Sequence, residues 1–155
     1  MVSAARATEA QPLAGVRVVV TGGGSGIGLA IARRLRALGA ALVLVGRDRA
    51  RLDRALAELG CAADDEAIAC DVGDADAVAE AFRSLAARGR APALLVNNAG
   101  TAQSMKFAET SVRAWQDTLR TNLDGVFHCT RAALASILEA PFGRIVNVAS
   151  TAGLI

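Results

Sequence analysis

Two kinds of apolar pattern alternate along this chain. Val16–Val20, Ala41–Val45, Ala93–Val96 and Ile145–Val148 are short, nearly unbroken apolar runs, and a shorter one lies within Glu66–Cys70. Runs of this length without polar alternation read as strands covered on both faces, as in a parallel sheet. Between them, apolar residues recur every three or four positions, the period of a helix with one buried stripe. Such stretches run from Ile27 to Leu38, from Arg51 to Leu59 (Leu52, Ala55, Leu56, Leu59), from a capping Asp74 to about Arg88, and from Val112 to Glu139. In the first of them Ile27, Ala30, Ile31, Leu35 and Leu38 are predicted to share the buried face, with Arg33, Arg34 and Arg36 mostly off it. The longest has Asn122-Leu123 at its middle, and asparagine is a poor mid-helix residue, so either a local distortion or a break into two helices is expected there. Strands alternating with helices at this pitch predict an α/β architecture, a doubly wound parallel sheet.

Ligands of such sheets sit outside the carboxyl ends of the strands. Immediately after the first run stands Thr21-Gly22-Gly23-Gly24-Ser25-Gly26-Ile27-Gly28, which also opens the first helix. Gly22 is suited to the positive φ of a tight turn, Gly26 to close approach of backbone and pyrophosphate, and Gly28 to close packing of helix on strand. The helix would aim its first amides at the phosphates. The octet therefore predicts a Rossmann-type, dinucleotide-binding domain over residues 14–155, behind a flexible N-terminal tail at 1–13. Gly46-Arg47, Asp71, Asn97–Gly100 and Ser150 all fall at other predicted strand ends.

Composition narrows the partners. With 53% hydrophobic residues and a formal charge of +2 from 17 basic and 15 acidic groups, the chain can bury a core but carries no basic stripe for nucleic acid. Cys61, Cys70 and Cys129 have neither metal-ligand nor Cys-x-x-Cys spacing and read as free, mostly buried thiols, so no metal is expected. Met1–Gln11 lacks the apolar core of a signal peptide and no segment reaches membrane-spanning length, which predicts a cytoplasmic protein with no membrane partner.

The series TGGGSGIG, Asp71-Val72, Asn97-Asn98-Ala99-Gly100, Asn122 within TNLDG and Ser150 within Ser-Thr-Ala-Gly resembles the classical short-chain dehydrogenase/reductase family, from about Val16 to the last residue. The resemblance implies hydride transfer between a nicotinamide cofactor and a small-molecule carbonyl or alcohol. It implies a cofactor site of Thr21, Gly22, Gly24, Ser25, Gly26, Ile27, Gly28, Arg47, Asp71, Val72, Asn98, Ala99 and Gly100. Asp71 would accept from the adenine amino group, beside the Val72 backbone; helix capping, its competing role, is available to Asp74. Ser150 would hydrogen-bond the substrate oxygen, and Asn122 would hold a water of the proton relay in a distorted stretch of the long helix. Where NAD-preferring relatives place a carboxylate, this chain has Gly46 followed by Arg47, whose guanidinium can fork onto a 2′-phosphate. NADP(H) is therefore favoured and NAD(H) remains open, since Ser25 replaces a second basic residue found in many NADP-preferring relatives and Asp48 follows Arg47.

In one respect the chain departs from the family. It has no tyrosine, so the Tyr-x-x-x-Lys pair is absent, and neither Lys106, its single lysine, nor His128 is placed to substitute. The expectation is the N-terminal portion of a normal enzyme, with a sheet incomplete at its C-terminal side and no activity by itself. The alternative is a non-catalytic dinucleotide-binding or redox-sensing module. By resemblance the complete protein is a dimer or tetramer through the long helix, although its stripe Val126, Ala133, Leu134 and Ile137 would equally suit core packing.

Overall fold

The computed structural model describes residues 11–102 and 106–150. Strand β1 (Arg17–Thr21) leads to α1 (Gly26–Ala37), β2 (Ala41–Gly46), α2 (Arg49–Glu58), β3 (Glu66–Ala69), α3 (Ala75–Ala87) and β4 (Leu94–Asn97). A short 3-10 turn (Phe107–Glu109) then precedes α4 (Val112–Leu119), a π-helical turn (Arg120–Asp124), α5 (Gly125–Glu139) and β5 (Arg144–Asn147). The strands form one parallel sheet in the order β3-β2-β1-β4-β5. The predicted α/β doubly wound architecture is thus the observed one. The chain winds outward from β1 to β3 and then crosses to β4 on the other side of β1, so the order reverses between β1 and β4. A crevice opens at that switch point, at the carboxyl ends.

Alternate strand residues feed two cores. Val18, Val20, Leu42 and Leu44 pack with Ala32, Leu52 and Leu56 from α1 and α2, while Val19, Val43, Val45 and Leu95 pack with Val78, Phe82, Leu85, Cys129, Ala133 and Ile137 from α3 and α5. Both faces of the central strands are therefore covered, which is why their sequences show no polar alternation.

Three expectations need correction, and the alternative left open at Asn122 is decided. In α1, Ile31, Leu35 and Leu38 pack against the core as expected, but the fully buried positions are Gly28 and Ala32, whereas Ile27 is 65% exposed and Ala30 is also exposed. The cause is Gly28, whose backbone contact with the glycine turn sets the roll of the helix. In α5, the buried line is Gly125, Cys129, Ala133 and Ile137. Of the predicted stripe, Ala133 and Ile137 thus enter the core, while Leu134 joins the exposed Leu123, Phe127 and Leu138 on another face. At Asn122 the expected distortion is present as a π turn, and the alternative, a break into two helices, is not taken because the backbone stays right-handed helical throughout. Finally, Leu13 is 8% exposed and its N–H donates to Leu38 O at 2.9 Å, so this last residue of the stretch expected as a tail packs on the domain, while Gln11 and Pro12 are exposed. Residues 1–10 of that tail lie outside the described residues.

Candidate cofactor cleft

Thr21, the last residue of β1, organises the cleft. It is 2% exposed; its hydroxyl donates to Val96 O at 3.3 Å and accepts from the N–H groups of Asn98 (2.9 Å) and Ala99 (3.0 Å). The Asn98 amide donates in return to Thr21 O at 2.9 Å. The loop after β4 is thereby bonded to the glycine turn after β1. Asn98 is consequently a support of the turn and not part of the cleft lining. Asn97, buried beneath it, donates to Asn147 Oδ1 at 2.8 Å and Thr130 Oγ1 at 3.1 Å, joining β4, β5 and α5.

Within the turn, Gly22 has φ +66°, and a Cβ on Gly28 would lie 2.3 Å from Gly22 O and 2.5 Å from Asn98 Nδ2. The first glycine supplies the turn and the last the close helix contact, as read from the spacing. A side chain at Gly26 would meet nothing within 4 Å. Ser25 stands at the N-cap of α1 but its side chain makes no capping bond, and no acidic residue occupies the first turn. The helices α2, α3 and α4 are capped by Asp48, Asp74 and Ser111. The open amides of α1 therefore face the cleft without a protein partner of the capping kind, at the positive end of the helix dipole.

A cleft of about 290 Å³ runs along the carboxyl ends, lined by Gly22, Gly24, Ser25, Gly46, Arg47, Asp48, Arg51, Leu52, Cys70, Asp71, Val72, Ala99, Gly100, Thr101 and Thr121. It unites eight residues of the predicted site: Gly22, Gly24, Ser25, Arg47, Asp71, Val72, Ala99 and Gly100. Thr21, Gly28 and Asn98 lie behind the lining as its supports, and Gly26 and the exposed Ile27 form the start of α1.

Arg47 is exposed in the cleft and makes no ion pair among the described residues. Asp48 is turned to its own helix: Oδ1 accepts from Arg51 N at 3.0 Å and Oδ2 lies 3.6 Å from Arg51 Nε. Asp71 Oδ1 accepts from Gly73 N at 3.0 Å and Oδ2 from Arg120 Nη2 at 3.3 Å, while Asp74 caps α3 through the N–H groups of Asp76 and Ala77. Asp71 is therefore not spent on capping.

Asn122 sits in the π turn. Its Oδ1 accepts from Thr101 N and its Nδ2 donates to Thr101 O, both at 2.8 Å, so it clamps the loop after β4; one lone pair and one N–H remain for a water. His128 is a tether: its Nδ1–H donates to Val72 O at 3.0 Å. Ser150 is exposed and lies three residues beyond β5, at the same sheet edge but outside the cleft lining.

Burial, helped by the Asp71 and Asp74 carboxylates, raises the Cys70 thiol, and Cys129 is pushed up to about 12 by burial and by Cys70. Both are therefore unreactive thiols at neutral pH. Among the described residues no cluster of three or more His, Cys, Asp or Glu is arranged to hold a metal, and no helix is long and apolar enough to cross a membrane.

Sequence reasoning missed Arg51, Leu52, Thr101, Thr121 and Arg120. Arg51 had a signal, lying one helical turn beyond Arg47. Leu52, Thr101 and Thr121 reach the cleft lining, and Arg120 reaches Asp71 behind it, only through tertiary packing.

A family model described as short chain dehydrogenase matches residues 16–155. The chain belongs to this family. It is 42% identical over 144 residues to galactitol 2-dehydrogenase (L-tagatose-forming) of Cereibacter sphaeroides, covering 92% of this chain and 56% of that protein. It is also 42% identical over 149 residues to a putative ketoacyl reductase of granaticin polyketide synthase from Streptomyces violaceoruber (94% of this chain, 53% of the other). Among solved structures, an NADPH-bound short chain oxidoreductase of Pseudomonas aeruginosa PAO1 with an atypical catalytic center superposes with a TM-score of 0.81 at 37% identity, over 90% of this chain and 55% of that one. This short-chain dehydrogenase chain spans little more than half the length of those relatives.

Proposed function

We propose that the chain binds NADP(H) along the carboxyl edge of its sheet and serves an oxidoreductase that moves hydride between the nicotinamide and a carbonyl or alcohol carbon. The observation that carries this reading is the presence in one cleft of the uncapped α1 N-terminus and of Arg47, which makes no ion pair among the described residues. Pyrophosphate fits the first and a 2′-phosphate the second. The commitment of the Asp48 carboxylate to Arg51 supports the phosphate reading, because it leaves Arg47 without a competing anion. The relatives include both kinds: one structural neighbour carries NADPH and an NADP-dependent 3-hydroxy acid dehydrogenase of Shigella flexneri is 39% identical over 138 residues, while an NAD(+)-named 2-dehydro-3-deoxy-L-rhamnonate dehydrogenase of Sphingomonas is 37% identical over 141, so the choice of NADP(H) rests on Arg47.

When bound, the nicotinamide supplies or takes the hydride. The chain's own residues hold it: α1 amides and Gly22–Gly28 at the phosphates, Arg47 at the 2′-phosphate, Asp71 at the adenine amino group. Ser150 donates to the substrate oxygen where negative charge develops. Asn122 fixes the loop at Thr101 and offers its remaining polar capacity to a relay water. Galactitol and ketoacyl relatives favour a substrate with a secondary alcohol or a ketone.

Lacking any tyrosine, the 155-residue chain has no phenol for the acid/base step, and no turnover of ketone or alcohol is expected from it. The exposed face Leu123, Phe127, Leu134 and Leu138 of the long helix supports self-association.

The test is a fluorescence titration of the chain and of Arg47→Asp with NADPH and NADH. Tighter NADPH binding that the substitution removes is expected. Equal affinity for both cofactors, unchanged by the substitution, would overturn the NADP(H) assignment.

A further inference from the structure

The loop after β3 is fastened to the long helix at four points. Asp71 Oδ2 accepts from Arg120 Nη2 at 3.3 Å. Gly73 lies so close to Arg120 that a Cβ there would stand 2.8 Å from its Cγ. Val72 packs on Gly125, where an added Cβ would fall 2.7 Å from Val72 Cγ2, and Val72 O accepts from His128. Arg120 belongs to the same π turn as Asn122, whose amide clamps Thr101 in the loop after β4. One five-residue turn therefore holds two walls of the cleft, the Asp71 side through Arg120 and the Thr101 side through Asn122.

We propose that Arg120 is a positioning residue that fixes the Asp71 carboxylate for recognition of the adenine amino group, making the π turn the element that sets base selectivity. This rests on the cofactor reading above, and specifically on Asp71 facing the base. Gly73 N–H holds only one oxygen of Asp71, so without Arg120 the carboxylate is free to swing about its Cβ–Cγ bond and toward water. Arg120 restrains the second oxygen and leaves each oxygen a lone pair for the amino group. A carboxylate recognises adenine, which presents a donor at this position, and rejects hypoxanthine, which presents a carbonyl oxygen. Discrimination between the two bases is therefore the property that Arg120 controls. The ion pair is half exposed, so its effect is modest.

The experiment is a titration with NADPH and with its hypoxanthine analogue, for the chain, Asp71→Ala, Arg120→Ala and Arg120→Lys. The chain should prefer NADPH, and Asp71→Ala should abolish the preference. Arg120→Ala should cut it about fivefold, and Arg120→Lys should restore most of it, because an ammonium preserves the charge. Loss of affinity for both nucleotides in equal proportion on Arg120→Ala, or no loss for either, would overturn the proposal while leaving the Asp71 reading in place. No base preference in the unsubstituted chain would overturn the Asp71 reading and the proposal with it. Failure of the chain to bind either nucleotide would overturn the cofactor reading itself.

Discussion

Replacing Thr21 by valine removes one oxygen and keeps the shape, which isolates what that hydroxyl contributes. It makes three hydrogen bonds, one donated to Val96 O and two accepted from Asn98 N and Ala99 N, at a position 2% exposed. In Thr21→Val the two amide donors lose their partner, and as they are half-buried the cost is toward the low end of the range for unsatisfied groups, about 1–1.5 kcal/mol each. The extra apolar burial of the valine returns about 1 kcal/mol. The net expectation is a destabilisation of roughly 1–2 kcal/mol, together with loosening of the loop after β4 against the glycine turn. Thr21→Ser keeps the hydroxyl and gives up a methyl, about 1 kcal/mol. The two variants thus have similar stability costs but opposite consequences for the cleft: Thr21→Ser should bind NADPH nearly as the parent does, and Thr21→Val at least tenfold more weakly. Urea denaturation, with the slope held constant, reads the first quantity and nucleotide titration the second. Undiminished NADPH affinity in Thr21→Val would refute the argument that this hydroxyl aligns the two loops.

Gly28→Ala should cost about 2–4 kcal/mol and abolish nucleotide binding, since its Cβ would press on backbone at 2.3 Å, whereas Gly26→Ala, with φ +52° and open space, should cost only about 1 kcal/mol of backbone strain; thermal unfolding of the pair checks this. Arg51→Ala should weaken NADPH about threefold to tenfold and leave NADH unchanged, measured by titration, because Arg51 lines the cleft with Arg47 and its one ion pair among the described residues, at 3.6 Å to Asp48, is exposed. Alkylation of the folded chain at pH 8 should label Cys61, which is exposed, and spare Cys70 and Cys129 until unfolding; mass spectrometry of the digest reads the sites. The folded Cys129 thiol titrates near 12 against an ordinary value of 9.0, so its stabilising contribution is complete below pH 9 and is lost as pH rises from there toward 12. Denaturation of Cys129→Ala across that window should show a shallower decline than the parent.

The strands and helices were legible because their signals are local. Buried parallel strands show unbroken apolar runs, and Gly22 and Gly28 reveal a turn that no other residue type would fit. What escaped the sequence is set by contacts between distant segments. The roll of α1 depends on Gly28 meeting Gly22 O, which the helical period of its apolar residues does not encode, so Ile27 was placed inward although it is exposed. The core line of α5 follows Gly125, Cys129, Ala133 and Ile137, the first three small enough to let the helix approach the sheet and α3, while Phe127, Leu134 and Leu138 are left outside. Asn122 was expected in a distorted stretch, and it lies in a π turn; its bonds to Thr101, and the reach of Arg120 to Asp71, involve residues 21 and 49 positions away along the chain. Arg47 and Asp71 were legible at strand ends because that edge is where such sheets bind ligands.

Assigned backbone amide resonances, followed as NADPH is added, test the central claim most directly. The account predicts saturable shifts concentrated at Gly22–Gly28, Arg47, Asp71–Val72 and Ala99–Thr101, with a second groove, lined by Ala79, Arg83, Phe127 and Arg131 between α3 and α5, unaffected. Shifts centred on that groove, or none in a folded chain at saturating nucleotide, would contradict it.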